Sequence, residues 1–145
     1  MGNDPYAKGK FKANPYAKKI DVTGELVVVL DGRMEDRGLS LIKPISRCVC
    51  KHEVHELILT DETAAPGSEV NRIAYLGFCT IDQGGVIVSG DEFFAGERLL
   101  GRLAGFDETH MPNHLNIVIQ TDNIQTGIEL GAELGSKITF KGKYL

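Results

Sequence analysis

From residue 23 onward, short apolar stretches with a period of two alternate with glycine-containing turns. Residues 25–30 are, after Glu25, apolar and rich in β-branched Val and stop at Asp31-Gly32, a turn signal, so they predict a strand. Leu39 and Leu41 flank Ser40 before Pro44 interrupts. Residues 47–60 are too long for one strand and predict a bend near Glu53-Val54-His55. Further strands are expected at 72–81, 86–88, 115–121 and 138–140, with Gln83-Gly84-Gly85 as a turn. Residues 97–104 are ambiguous: Leu99, Leu100 and Leu103 have helical spacing, but Gly101 costs a helix about 1 kcal/mol relative to Ala, which favours a strand. Ile128, Leu130 and Leu134 alternate with Glu129, Gly131 and Glu133, and that period also predicts a strand.

Short strands broken by glycine every few residues predict an all-β protein, a small closed or partly open β-barrel with Gly-rich turns. The barrel domain is placed at 23–145 and a basic, Pro- and Tyr-containing arm at 1–22. In the arm, Asn3-Asp4-Pro5-Tyr6-Ala7-Lys8 is echoed by Ala13-Asn14-Pro15-Tyr16-Ala17-Lys18. Two copies fall short of a solenoid. The arm reads as a solvated tail, or as a segment that packs its tyrosines on a neighbouring subunit, hence an expected homo-oligomer.

At 145 residues the chain has the length of one domain, and its 42% hydrophobic and 25% charged residues are ordinary for a globular protein. The longest apolar run, Leu26-Val27-Val28-Val29-Leu30, is far short of the ~20 residues that span a bilayer as a helix. The net charge of −4 is split unevenly: residues 1–19 carry about +4 and the rest about −8. An acidic body argues against nucleic acid, which requires clustered Lys and Arg. Three cysteines and no basic-then-apolar opening suggest free thiols in the cytoplasm, in the style of a bacterial protein.

Two stretches concentrate chemistry. Cys48-Val49-Cys50-Lys51-His52-Glu53-Val54-His55 holds two thiols and two imidazoles. Strand geometry holds Cys48 and Cys50 about 7 Å apart, too far for two zinc–sulfur bonds of about 2.3 Å, so the cysteines read as small buried core residues. His52 remains a candidate ligand pointing into the barrel. The second stretch, 105–114, contains Asp107, Glu108, His110 and His114 in a loop before a strand. The histidines are four apart, but Pro112 opposes a helix and Met111 stands where a helical metalloprotease pattern has glutamate. A loop can still bring both imidazoles into a shared hollow of the barrel. With Asp107 or Glu108, assisted by His52, the donors suit Zn²⁺, Fe²⁺ or Mn²⁺ with positions left open. Without metal, His110, His114 and Glu108 are the candidate acid–base groups.

The remaining signals are weaker. Walker-type and dinucleotide-binding glycine spacings are absent, as is a Gly-x-Ser-x-Gly elbow. The Asp91-Glu92 pair reads as a strand entry. Arg33, Arg37 and Arg47 read as solvated residues, with an anionic ligand as the alternative. The sequence therefore suggests a small cytoplasmic barrel that binds a small polar molecule, with a divalent metal as its expected cofactor. If it is an enzyme, proton-transfer or lyase-type chemistry on a carbonyl or carboxylate compound is expected. The rival is a non-catalytic accessory or self-assembling module.

Overall fold

A computed structural model of the chain describes residues 19–142. It contains twelve strands and no helix among these residues: β1 (Val22–Val29), β2 (Arg33–Met34), β3 (Leu39–Ser40), β4 (Ser46–Val49), β5 (Val54–Thr60), β6 (Glu69–Val70), β7 (Ile73–Gln83), β8 (Gly85–Val88), β9 (Glu92–Ala95), β10 (Arg98–Asp107), β11 (Asn116–Gln120) and β12 (Lys137–Lys141). No helix is therefore long and apolar enough to cross a membrane. The repeated arm, apart from its last residues, lies outside the described residues.

Seven strands form a ring in the order β1-β12-β9-β10-β11-β5-β7, and β7 returns to pair with β1. The ring is all-β and partly open, as the strand pattern predicts. All its pairings are antiparallel except β5–β11, where Glu56 aligns with Asn116 and Ile58 with Val118. Two small pairs, β3–β6 and β4–β8, lie against it.

Side-chain alternation explains how the ring is filled. Leu57 and Leu59 of β5, and Ile117 and Ile119 of β11, join a core cluster drawn from all seven ring strands. Ile58 and Val118, between them in sequence, belong to a second cluster with Leu39, Val70 and Ile73. Strands β5 and β11 are thus covered on both faces: by the ring's interior on one side and by the β3–β6 layer on the other. That is why Leu57-Ile58-Leu59 and Ile117-Val118-Ile119 are unbroken apolar runs. Phe93, Phe106 and Phe140 are fully buried in the interior cluster, so side chains fill the ring.

The 97–104 stretch is strand, as expected, within β10. Its register slips between Leu99 and Gly101 and again between Leu103 and Gly105. Gly101 is required there, because a Cβ would overlap the Gln120 carbonyl oxygen on β11. The long 47–60 stretch does divide, but at Cys50–Glu53, just ahead of the expected bend.

Two expectations are corrected. Residues 127–134 are successive turns and not a strand. Leu130 N–H bonds Thr126 O at 3.0 Å, Ala132 N–H bonds Gly127 O at 3.0 Å, and Gly131 takes φ 73°. Ile128 and Leu134 are left exposed at 56% and 69%, and of the apparent apolar face only half-buried Leu130 packs against the core. Cys48 and Cys50 are also exposed and not core residues. The β4 pleat turns Val49 into the core at 3% exposure, so both neighbours must face out. Cys79, by contrast, is fully buried, and burial pushes its thiol up to about 12.

Two predictions follow from this packing. Gly101→Ala should destabilise the protein by about 3 kcal/mol, the upper range for overpacking, as a lower urea midpoint in chemical denaturation. A mild thiol reagent should label Cys48 and Cys50 in the native protein and reach Cys79 only after denaturation, as read by intact mass.

Candidate functional site

The loop between β10 and β11 is pinned by Asp107. One of its carboxylate oxygens accepts from Thr109 N–H at 2.9 Å and from Asn116 Nδ2 at 3.1 Å, and the other accepts from Ser40 N–H at 3.0 Å. The loop thus leaves and rejoins the sheet at the aligned pair Asp107 and Asn116. Burial alone would raise the Asp107 carboxyl, but these bonds outweigh it and hold the group below its usual value. Within the loop, Met111 N–H bonds Glu108 O at 3.0 Å and Asn113 N–H bonds His110 O at 2.9 Å. A single turn closes from His114 N–H to His110 O at 3.3 Å, with a cis bond at Met111–Pro112. Two histidines four apart therefore bring their rings together, with centroids 5.0 Å apart and planes tilted by 33°.

The loop's end is fastened to β5. Leu115 N–H donates to His55 Nδ1 at 3.0 Å, and Glu56 N–H donates to Leu115 O at 3.0 Å. His114 is therefore held over the outer face of β5, where Glu56 projects on the same side as Ile58. Its Nε2 lies 3.5 Å from Glu56 Oε1. The edge of its ring meets Phe78, which aligns with Glu56 on β7, at a centroid distance of 5.1 Å. An amide oxygen only accepts, so the 3.0 Å contact between His114 Nδ1 and Asn113 Oδ1 makes Nδ1 the donor. In the neutral ring Nε2 then keeps its lone pair. That atom is buried and has no hydrogen-bond partner among the described residues.

One donor atom each from Glu56, His110 and His114 lies within 4.8 Å of the others, and these three residues can hold a metal ion. Burial pushes the Glu56 carboxyl above the ordinary range, opposed by His114, His110 and Arg37.

The structure brings His110 and His114 together, on the outer face of the ring and not in its interior. It does not bring the other sequence candidates to them. Asp107 is buried in the loop-pinning bonds described above. Glu108 forms an ion pair with Arg47. His52 is an exposed turn residue at φ 77°, between β4 and β5. The carboxylate that does meet the histidines, Glu56, was missed. The available signal was an acidic residue opening the apolar run Leu57-Ile58-Leu59. The neighbouring His55 is occupied. Its Nδ1 accepts from Leu115, and its Nε2 contacts Glu53 Oε1 at 3.0 Å. Glu53 also accepts from Cys50 N–H at 2.9 Å, and that bond, with His55, holds its carboxyl below the usual value.

These features define an all-β protein with a half-buried cluster of two histidines and one carboxylate on the outside of a strand ring. Over residues 16–141 the chain matches a family of unknown function (DUF6917), and the protein belongs to that family. No curated protein and no solved structure matches the chain.

Asp107 makes a testable contribution to stability. Its folded value is depressed, so the contribution is full above the unfolded value of 3.8 and is lost as pH falls through the lower folded value. Asp107→Asn should cost about 1–3 kcal/mol at neutral pH, and the gap from wild type should narrow below about pH 4, as read by denaturation across pH.

Proposed function

We propose that this protein binds a divalent transition-metal ion through Glu56, His110 and His114 and uses the open coordination positions to hold a small polar ligand. The observation that carries this reading is the convergence of the three donor atoms within 4.8 Å of one another. Bonds of about 2.0–2.1 Å to a tetrahedral ion set neighbouring donors roughly 3.4 Å apart. The 3.5 Å between His114 Nε2 and Glu56 Oε1 agrees with that spacing. A buried imidazole lone pair without a hydrogen bond, facing a desolvated carboxylate, is a poor arrangement alone and a good one around a cation. The bond from His114 Nδ1 to Asn113 supplies the orienting contact that metal-bound histidines have.

Two nitrogens and one carboxylate suit Zn²⁺, Fe²⁺ or Mn²⁺. Such an ion would polarise a carbonyl or activate bound water, which is the chemistry expected for a carbonyl or carboxylate compound. The exposed unpaired thiols Cys48 and Cys50 support a reducing, cytoplasmic setting. The competing reading, an accessory or self-assembling module, draws on the Pro-Tyr-Ala-Lys arm, most of which lies outside the described residues.

Metal analysis of untagged protein, followed by titration with Zn²⁺ and Co²⁺, tests the proposal. One ion per chain is expected. Removing a whole ligand should exceed the ten- to hundredfold loss typical of an orienting partner, so His110→Ala, His114→Ala and Glu56→Ala should each weaken binding by about a hundredfold or more. Glu108→Gln and His52→Ala, outside the cluster, should change it by no more than about twofold. Wild-type protein that takes up neither ion would end the metal reading.

A further inference from the structure

Arg37 stands beside this cluster without a carboxylate of its own. Arg33, Arg47, Arg72 and Arg102 each have an acidic partner, and Arg98, which has none, is exposed. Half-buried Arg37 has none within ion-pair distance among the described residues. It is nevertheless held firmly. Its backbone N–H donates to Asn71 O at 3.0 Å, and the next residue, Gly38, donates to Asn71 Oδ1 at 3.1 Å. The guanidinium Nε donates to Tyr75 Oη at 3.1 Å, and Nη2 lies 3.5 Å from His110 Nε2. Nη1 has no partner among the described residues. Tyr75 and His110 are the titratable groups in contact with it, and its charge also acts on Glu56.

We infer that Arg37 is the anion-recognition residue of this site and that the ligand is a small carboxylic acid with a second oxygen on the adjacent carbon, a 2-hydroxy or 2-oxo acid. The inference rests on the metal reading above. A guanidinium fixed through Nε presents its remaining N–H groups as a planar fork, which matches the two coplanar oxygens of a carboxylate. The fork lies against one of the metal-ligating rings, so an anion bound there sits beside the open coordination positions. The second oxygen can then reach the ion. Tyr75 preorganises the fork, which limits the entropy lost on binding.

The test uses Co²⁺-loaded protein, with glycolate as the probe and neutral glycolamide and inorganic phosphate as controls. Binding is read from the visible Co²⁺ spectrum. Glycolate should shift the wild-type spectrum at concentrations where glycolamide and phosphate do not. Arg37→Gln should weaken glycolate by about ten- to a hundredfold, the value of hydrogen bonds to a charged group, with Arg37→Lys in between. Because Arg37→Gln removes a positive charge beside the ion, Co²⁺ affinity should stay the same or rise, whereas a merely structural arginine would weaken metal and glycolate together. Equal glycolate affinity in wild type and Arg37→Gln would overturn this inference while leaving the metal reading standing. Glycolamide or phosphate binding as tightly as glycolate would also overturn it. Failure of wild type to bind Co²⁺ would overturn the metal reading and this inference together.

Discussion

The arrangement depends on a short backbone strap at Leu115. Its N–H and C=O are both used by neighbouring residues of one strand, His55 and Glu56, at 3.0 Å each. Leu115 itself is fully buried. The strap begins the only parallel pairing of the ring, so it sets the alignment of Glu56 with Asn116 and fixes the exit point of the histidine loop. Parallel partners need a long crossover. Here the crossover comprises everything from β6 to β10, so the site forms only once β11 has paired with β5. Its carboxylate and its histidine loop come from two segments that the chain keeps more than fifty residues apart.

Being covered on both faces gives β5 its second property. A strand with one wet face would let Glu56 stay hydrated. On β5, the carboxylate starts a row whose next member, Ile58, is fully buried. Removing a carboxylate from water is costly unless positive groups or donors replace the solvent. Around Glu56 the replacements are the Arg37 guanidinium and, when protonated, His114 and His110, all from loops. The ring supplies the desolvated anion, and the loops packed on its outer face supply the groups that offset its charge.

Much of the fold was legible because it rests on a local period. Short apolar stretches, alternating or unbroken, mark the ring strands, and Gly101 tipped residues 97–104 towards strand over helix. The same rule failed at 127–134, where alternation coincides with a series of turns closed by Thr126, Gly127 and Gly131. It also misjudged the cysteines, since the core-facing parity of β4 is set by Val49, which period alone does not reveal. In the site, the histidines were legible from their density and spacing in one loop. Their carboxylate partner was not, because proximity in sequence pointed to Asp107 and Glu108. The true neighbour lies more than fifty residues away and meets them through a strand register that no local pattern encodes.

The contrast between Asp107 and Glu56 separates structure from candidate chemistry. Both are buried carboxylates within reach of the same loop. Asp107 receives two backbone N–H groups and an amide, and its carboxyl is lowered; it is a closed structural fastening. Glu56 receives no backbone N–H on its carboxylate among the described residues, and its carboxyl is raised. A fold that saturates one buried anion and leaves the next to imidazoles and a guanidinium has left electrostatic demand at one place. Perturbed groups of this kind cluster at functional sites because burial without satisfaction costs stability that structure alone does not return. Glu56, more than either carboxylate beside the histidines in sequence, is therefore the residue on which a bound cation would act most strongly.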